Sequence, residues 1–290
     1  IISNKEKNMT SLMLKLLTII ALSSVSLFAN NENDAKVVSF LQKAIATNEN
    51  YTFDKVVILK KEEMKESLGW MVYFVRIDLN LTKQAGKKVS VNDIVFTNGK
   101  ILSKDFVDLS SGRSIKNNFS LDMDATAYNK EHLLAGKLNA PHKLVVFSDP
   151  LCPFCMDFVP EVIADVEKNP ETFALFYYHF PLNIHPAAPT LVKAMILAEE
   201  KGDKEIVAKV YKEFFDIKES DEKVILDIFN TTFKTNFTVA QINQPHILKK
   251  LADDEALAHN LMVNGTPTIY IDGKKDDSKK SYKKFIKESK

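Results

Sequence analysis

The 290-residue chain has two cysteines, Cys152 and Cys155, and both lie in the stretch FSDPLCPFCMDF, residues 147–158. A C-x-x-C pair can be a redox couple, half of a metal site, or two inert buried thiols. A disulfide between residues so close together closes almost no loop and adds little stability. A chain of this length and apolar content folds without such a staple, so a structural bridge is disfavoured. Zinc would need further ligands, and no second cysteine pair exists in the chain, although two subunits together could offer four thiolates. His179 and His185 lie too far along and lack finger-like spacing, and the six histidines read as surface or packing residues. No metal is expected, and no cofactor beyond a redox-active Cys152–Cys155 disulfide itself.

The elements around the pair decide which sulfur reacts. KLVVFSD, residues 143–149, has the continuous apolar character of a buried strand. A helix is expected to start at or beside Cys152, because Pro153 suits the first helical position, where its missing N–H is not needed. This places the Cys152 sulfur over unsatisfied backbone N–H groups, which favour thiolate and lower a cysteine pKa into the range of roughly 3.5–7.5. Cys155, one turn further in, is expected to be less exposed. Cys152 is therefore the attacking thiol and Cys155 the resolving one, with Pro153 and Phe154 between them tuning the couple.

Outside the motif, MTSLMLKLLTIIALSSVSLFAN sets Lys15 before an apolar run from Leu16 to Phe28, with Ala29 as a small residue at a cleavage point. Residues 1–29 read as an export signal, with Met9 as a candidate translation start. The apolar run is shorter than the 18 or so residues a spanning helix needs. Export places the cysteines in an oxidising compartment. The balance of 39 basic and 38 acidic residues forms no stripe suited to nucleic acid or anionic lipid, so a nucleic-acid role is disfavoured.

Residues 30–118 begin with an amphipathic helix, DAKVVSFLQKAIA, with Val37, Val38, Leu41 and Ile45 at helical spacing. Strand-like runs follow, and Asn98-Gly99 marks a tight hairpin within an antiparallel meander. This half holds no cluster of His, Cys or carboxylates and reads as a small α+β binding or assembly domain. Residues 119–140 are polar and are expected to be a linker with one short helix. From 141 to 290, strands alternate with helices, which argues an α/β layer structure. A helical insertion is expected at about 181–262, with stripes at Leu191, Ala194, Met195 and Ala198, at Val207, Val210, Tyr211 and Phe214, and at Ile225, Ile228 and Phe229. The lysine-rich C-terminus carries Tyr282, Phe285 and Ile286 at the spacing of a last short helix. DLNLT, residues 78–82, matches an N-x-T acceptor at Asn80, but so short a match within an expected strand arises by chance.

Cys-Pro-Phe-Cys at a helix start, Pro160 eight residues after Cys152, and NGTPT with Thr266-Pro267 before a strand together resemble the thioredoxin fold. More narrowly, FSDPLCPFC, the Thr266-Pro267 pair, the export signal and the preceding meander resemble the periplasmic DsbC/DsbG disulfide isomerases. The resemblance implies a thioredoxin-like domain with a helical insertion, preceded by a cystatin-like dimerisation domain that builds a homodimer. It also implies a cis bond before Pro267, close to the active-site sulfurs. A residue without an N–H beside a sulfur cannot act as its donor, and the Thr266 backbone can pair with an extended substrate by strand addition.

Two departures carry information. Thioredoxins have a buried aspartate six residues before the first cysteine, where this chain has Val146, so that base for Cys155 is missing. The strongly oxidising DsbA type has histidine inside the motif, where this chain has Phe154, so the thiolate has less support and the disulfide is less oxidising. Both favour a protein disulfide isomerase or reductase acting on cysteine-containing exported proteins, with a DsbD-like membrane reductase as electron donor. YYHFPLNIHPAAP is similar to DsbA-like helical insertions and keeps open an oxidase recharged by a DsbB-like partner. A chaperone-like binding module that works without its thiols is the alternative from a different class.

Overall fold

The computed structural model describes residues 32–286, apart from 66, 84, 85, 214, 216, 218 and 219. The expected signal segment 1–29 and Phe214 of the second helical stripe lie outside the described residues. The chain divides into two compact units at Asn117/Asn118.

In the first unit, helix α1 (residues 32–46) lies against a four-stranded antiparallel meander. Its strands are β1 (Tyr51–Glu63), β2 (Met71–Leu81), β3 (Lys88–Thr97) and β4 (Leu102–Ser103). Val37 and Leu41 of α1 share an apolar cluster with Tyr73, Val75, Ile77, Leu79 and Val95, which follows from the period-2 alternation of β2. Asp34 pins the helix polar-side as well, accepting from Lys61 at 2.8 Å and from Tyr73 Oη at 2.8 Å. Val72 and Phe74, on the other face of β2, are buried too. Past β4, the chain brings Phe106 edge-on to Trp70 and Phe96, with centroids 4.8 and 5.1 Å away. Asn98 closes the β3–β4 turn by accepting from the backbone N–H groups of Lys100 and Ile101. Asn80 is a strand residue, opposite Thr52 on one side and Lys88 on the other.

The second unit holds a five-stranded mixed sheet in the order β5-β7-β6-β8-β9. These strands are β5 (Leu133–Gly136), β6 (His142–Ser148), β7 (Phe173–His179), β8 (Thr268–Ile271) and β9 (Lys274–Lys275). Only the β6–β7 pair is parallel, and α2 (Pro153–Lys168) is its crossover. Successive residues of β6 point to opposite layers. Leu144 and Val146 join Val159, Val162 and Val166 of α2 in one cluster, while Val145 and Phe147 join Phe176, Tyr270 and Ala258 in the other. Both faces are covered, so the middle of β6, Leu144–Phe147, and most of β7 are apolar without alternation.

Between β7 and β8 come α3 (Ala188–Glu200), α4 (Ile206–Val210), α5 (Glu222–Phe233), α6 (Val239–Ile242) and α7 (Pro245–Asn260). Helix α3 is buried along almost its whole length. Among the described residues, no helix is long and apolar enough to cross a membrane. The C-terminal element is a single 3-10 turn, Ser281–Phe285, whose buried Tyr282 donates to Asp165 Oδ2 at 2.7 Å.

Residues 119–140 do not form the expected linker. They belong to the second unit and supply two 3-10 turns and the edge strand β5. Met123 N–H donates to Gly273 O at 2.8 Å, and Tyr178 Oη donates to Ala127 O at 2.7 Å. A four-residue strand in a polar stretch leaves no periodicity to read, and only the sheet edge it pairs with defines it. Its last residue, Gly136, has φ +79°, and a Cβ there would lie 2.0 Å from the Phe173 carbonyl oxygen. Gly136→Ala is expected to destabilise the chain by about 2 kcal/mol or more, from the left-handed backbone and the forced displacement of β7. A denaturation midpoint equal to that of the parent chain would contradict this reading.

Candidate active site

Residue Cys152 is the N-cap of α2 in extended conformation, with Pro153 at the first helical position. The local sequence produces this directly: a proline opens the helix and the residue before a proline is pushed out of the helical region. Cys152 retains 4% exposure and Cys155 none. The Cys155 N–H donates to the Cys152 carbonyl at 2.9 Å, so the two lie one turn apart on the same helix end. Pro160 lies inside α2.

From the other side of β6, the segment before β8 completes the site. The Thr266–Pro267 bond is cis. The Cys152 thiol donates to the Thr266 carbonyl at 3.4 Å. Register explains the meeting: β8 runs antiparallel to β6 with Thr268 opposite Phe147, so the start of β8 and the end of β6 share one edge of the sheet. Thus Cys152, Cys155, Thr266 and Pro267 are brought together, and Pro153 sits between the sulfurs in sequence. Phe154 instead projects outward, 72% exposed, so its ring shapes the outer surface of the site.

Electrostatics separate the two thiols. Cys152 is pulled down to about 5, chiefly because the Cys155 thiol donates to its sulfur; the N–H groups of Cys155 and Phe154 add to this against the cost of burial. Cys155 is pushed far above the ordinary thiol range, by burial first and then by the hydrogen bond it gives to Cys152. Reactivity therefore follows a definite sign with pH. Alkylation of Cys152 in the reduced protein is expected to stay fast down to neutral and mildly acidic pH and to fall as pH drops through about 5. A midpoint at the ordinary cysteine value in an iodoacetamide rate profile would overturn it.

Two side chains that the sequence reading passed over organise the site. Asp149 is fully buried. Its Oδ1 accepts from Leu151 N–H at 2.7 Å, and its Oδ2 accepts from Leu182 N–H at 2.7 Å and meets His185 Nδ1 at 2.8 Å. His185 is thus a fixed partner of the active-site loop, where the sequence suggested a surface or packing histidine. Ser148, also fully buried, donates to the Cys155 sulfur, as does the Asp149 N–H. Val146, at the position of the missing aspartate, is a buried apolar wall residue. His179 is buried, with its Nε2 3.9 Å from Glu199 Oε1. Among the described residues, no group of three or more His, Cys, Asp or Glu side chains is arranged to hold a metal ion.

A cysteine at the helix N-cap with its pKa pulled down, a buried second cysteine and a cis-proline segment beside them fit a thioredoxin-fold thiol-disulfide oxidoreductase. Residues 128–288 match the thioredoxin family, and the chain belongs to that family. No curated protein matches it. Solved structures similar to this chain include BdbD from Bacillus subtilis in its oxidised form, with 16% identity over 57% of this chain and 91% of that one and a TM-score of 0.44. ScsC from Proteus mirabilis in a transitional conformation has 21% identity over 56% and 74% of the two chains and a TM-score of 0.45. A periplasmic thioredoxin-like protein from Salmonella enterica serovar Typhimurium has 18% identity over 57% and 93% and a TM-score of 0.44.

Proposed function

We propose that this protein is an exported disulfide isomerase of the DsbC/DsbG type that works in the periplasm as a homodimer. The observation that carries the reading is the division of labour at the start of α2: a thiolate at Cys152 and a sealed thiol at Cys155. Cys152 attacks a non-native disulfide in an exported protein, forming a mixed disulfide and releasing one substrate thiolate. That thiolate then attacks elsewhere in the substrate, or Cys155 attacks Cys152, releasing the substrate reduced and leaving the Cys152–Cys155 disulfide. No other cofactor takes part. Thr266 and Pro267 hold the substrate backbone beside the sulfur, and a shallow cleft of about 220 Å³ runs past them, lined also by Asp276, Asp277 and Lys279. Phe154 in place of a histidine, between Pro153 and Cys155, supports a milder couple. The membrane partner is then a DsbD-like reductase. For the dimer, the support is the first unit: among the described strands β1 is an edge, 13 residues long, on a unit without catalytic groups.

One observation favours a second reading. A thiolate held as low as Cys152 stabilises the reduced form and makes the disulfide a better oxidant, as in a DsbA-like oxidase recharged by a DsbB-like partner. Trapping the pair in cells with a thiol reagent and resolving the two redox forms on a gel separates the readings. A mostly reduced pair is expected; a mostly oxidised one replaces isomerase by oxidase.

A further inference from the structure

Before Cys155 can attack, its thiol must lose a proton, yet no solvent reaches it. The side-chain hydroxyl that reaches its sulfur is that of Ser148. Ser148 Oγ in turn accepts from Tyr211 Oη at 2.7 Å, and Tyr211 Oη lies 2.7 Å from Tyr177 Oη. All three residues are buried, Ser148 at 0%, Tyr211 at 3% and Tyr177 at 4% exposure. Each hydroxyl both donates and accepts, so the row can hand a proton along in either direction.

Tyr177 at the far end lines a cavity of about 540 Å³ that His132, His179, Glu199 and Lys250 also line. The His179 ring stands edge-on to Tyr177, centroids 4.9 Å apart, and neither of its nitrogens has a hydrogen-bond partner among the described residues. Facing Glu199 are Lys250 at 2.8 Å and Asp254 from α7, Tyr177 and His179 from β7, and His132 from the turn before β5. Burial raises the Glu199 carboxyl above its ordinary range, against the pull of Lys250, which suits it to take up a proton. With Lys250, Glu199 and two imidazoles on its wall, a cavity of this size admits water between Tyr177 and the carboxylate.

We propose that Ser148, Tyr211 and Tyr177 form a proton wire from Cys155 to this cavity, ending on Glu199. This rests on the redox reading of the site above. In the resolving step the hydroxyls of Ser148, Tyr211 and Tyr177 first turn to point away from Cys155; Cys155 then passes its thiol proton to Ser148, Ser148 passes its own to Tyr211, Tyr211 to Tyr177, and Tyr177 through the cavity to the Glu199 carboxylate. The Cys155 thiolate attacks the Cys152 sulfur, the Cys152–Cys155 bond forms, and the bond from Cys152 to the substrate sulfur breaks. The substrate sulfur leaves as thiolate with the electron pair. When the disulfide is reduced again, the proton returns the same way. The chain thereby has an outlet for the Cys155 proton although Val146 replaces the usual carboxylate.

Reaction of the reduced protein with Ellman's reagent, followed in a stopped-flow instrument across pH, tests the wire. Cys152 releases the first thionitrobenzoate at a rate that scales with reagent concentration, and Cys155 releases the second in a step independent of it. Tyr211→Phe and Tyr177→Phe keep the rings and remove the hydroxyls. In both, the first phase is expected to be unchanged, while the second slows about tenfold or more near neutral pH and recovers as rising hydroxide replaces the wire. A second phase equal to the parent's in both variants, or slowed equally at every pH, overturns the wire and leaves the redox reading intact. A parent protein that releases neither thionitrobenzoate overturns the redox reading, and the wire with it.

Discussion

Replacing Cys152 with alanine is expected to abolish disulfide exchange, lowering the rate by on the order of 10⁴–10⁶-fold, the scale seen when an enzyme loses its nucleophile. The reason lies in how unequal the two sulfurs are. Cys155 is sealed beneath the helix end and held protonated, so it cannot substitute for the lost thiolate. Cys155→Ala is expected to behave differently: attack survives, and the mixed disulfide accumulates for want of a resolving thiol. Refolding of a scrambled multi-disulfide protein, with gel analysis of trapped adducts, measures both. Full refolding activity in Cys152→Ala would remove catalysis from the site and leave a binding module in its place.

Loss of the Asp149 carboxylate is expected to produce the largest change in stability. Its two oxygens receive Leu151 N–H, Leu182 N–H and His185 Nδ1, all at 2.7–2.8 Å, from a fully buried position. Asp149→Ala strands two backbone donors and a histidine, at about 1–3 kcal/mol for each unsatisfied group, so a loss of about 3 kcal/mol or more is expected. Asp149→Asn keeps the shape but turns an amide N–H₂ toward a backbone N–H, donor against donor, and is expected to recover only part of the loss. Urea titration checks both variants. An unchanged midpoint in Asp149→Ala would mean that the contacts to the 182–185 segment carry no net free energy.

How much of this is visible without a structure depends on the separation of the interacting groups along the chain. The helix start at Cys152 and the burial of Cys155 follow from Pro153 and one helical turn, so they are legible locally. Thr266-Pro267 is distant but announces itself through its residue types. Asp149 and His185 are 36 positions apart, and Tyr177 and Tyr211 are 34 apart; each looks like an ordinary polar or aromatic residue until β7 and α4 bring the partners together. Strand β5 was hidden for a related reason: its pairing with β7, not its own composition, makes it a strand.

The antiparallel seam between β6 and β8 has a consequence for how this protein can change over time. Cys152 follows the end of β6 and the Thr266-Pro267 segment enters the start of β8, with Phe147 facing Thr268 across the seam. Cys152 and Thr266 are 114 positions apart in the chain, yet the β6–β8 register brings them together. Loop-closure entropy grows only slowly with length, by about 0.6 kcal/mol per doubling. Length changes in the loops between helices α3–α7 are therefore expected to leave the Cys152 sulfur and Pro267 in register. The register of the sheet, rather than the length of the intervening chain, holds the cysteine and the proline side by side.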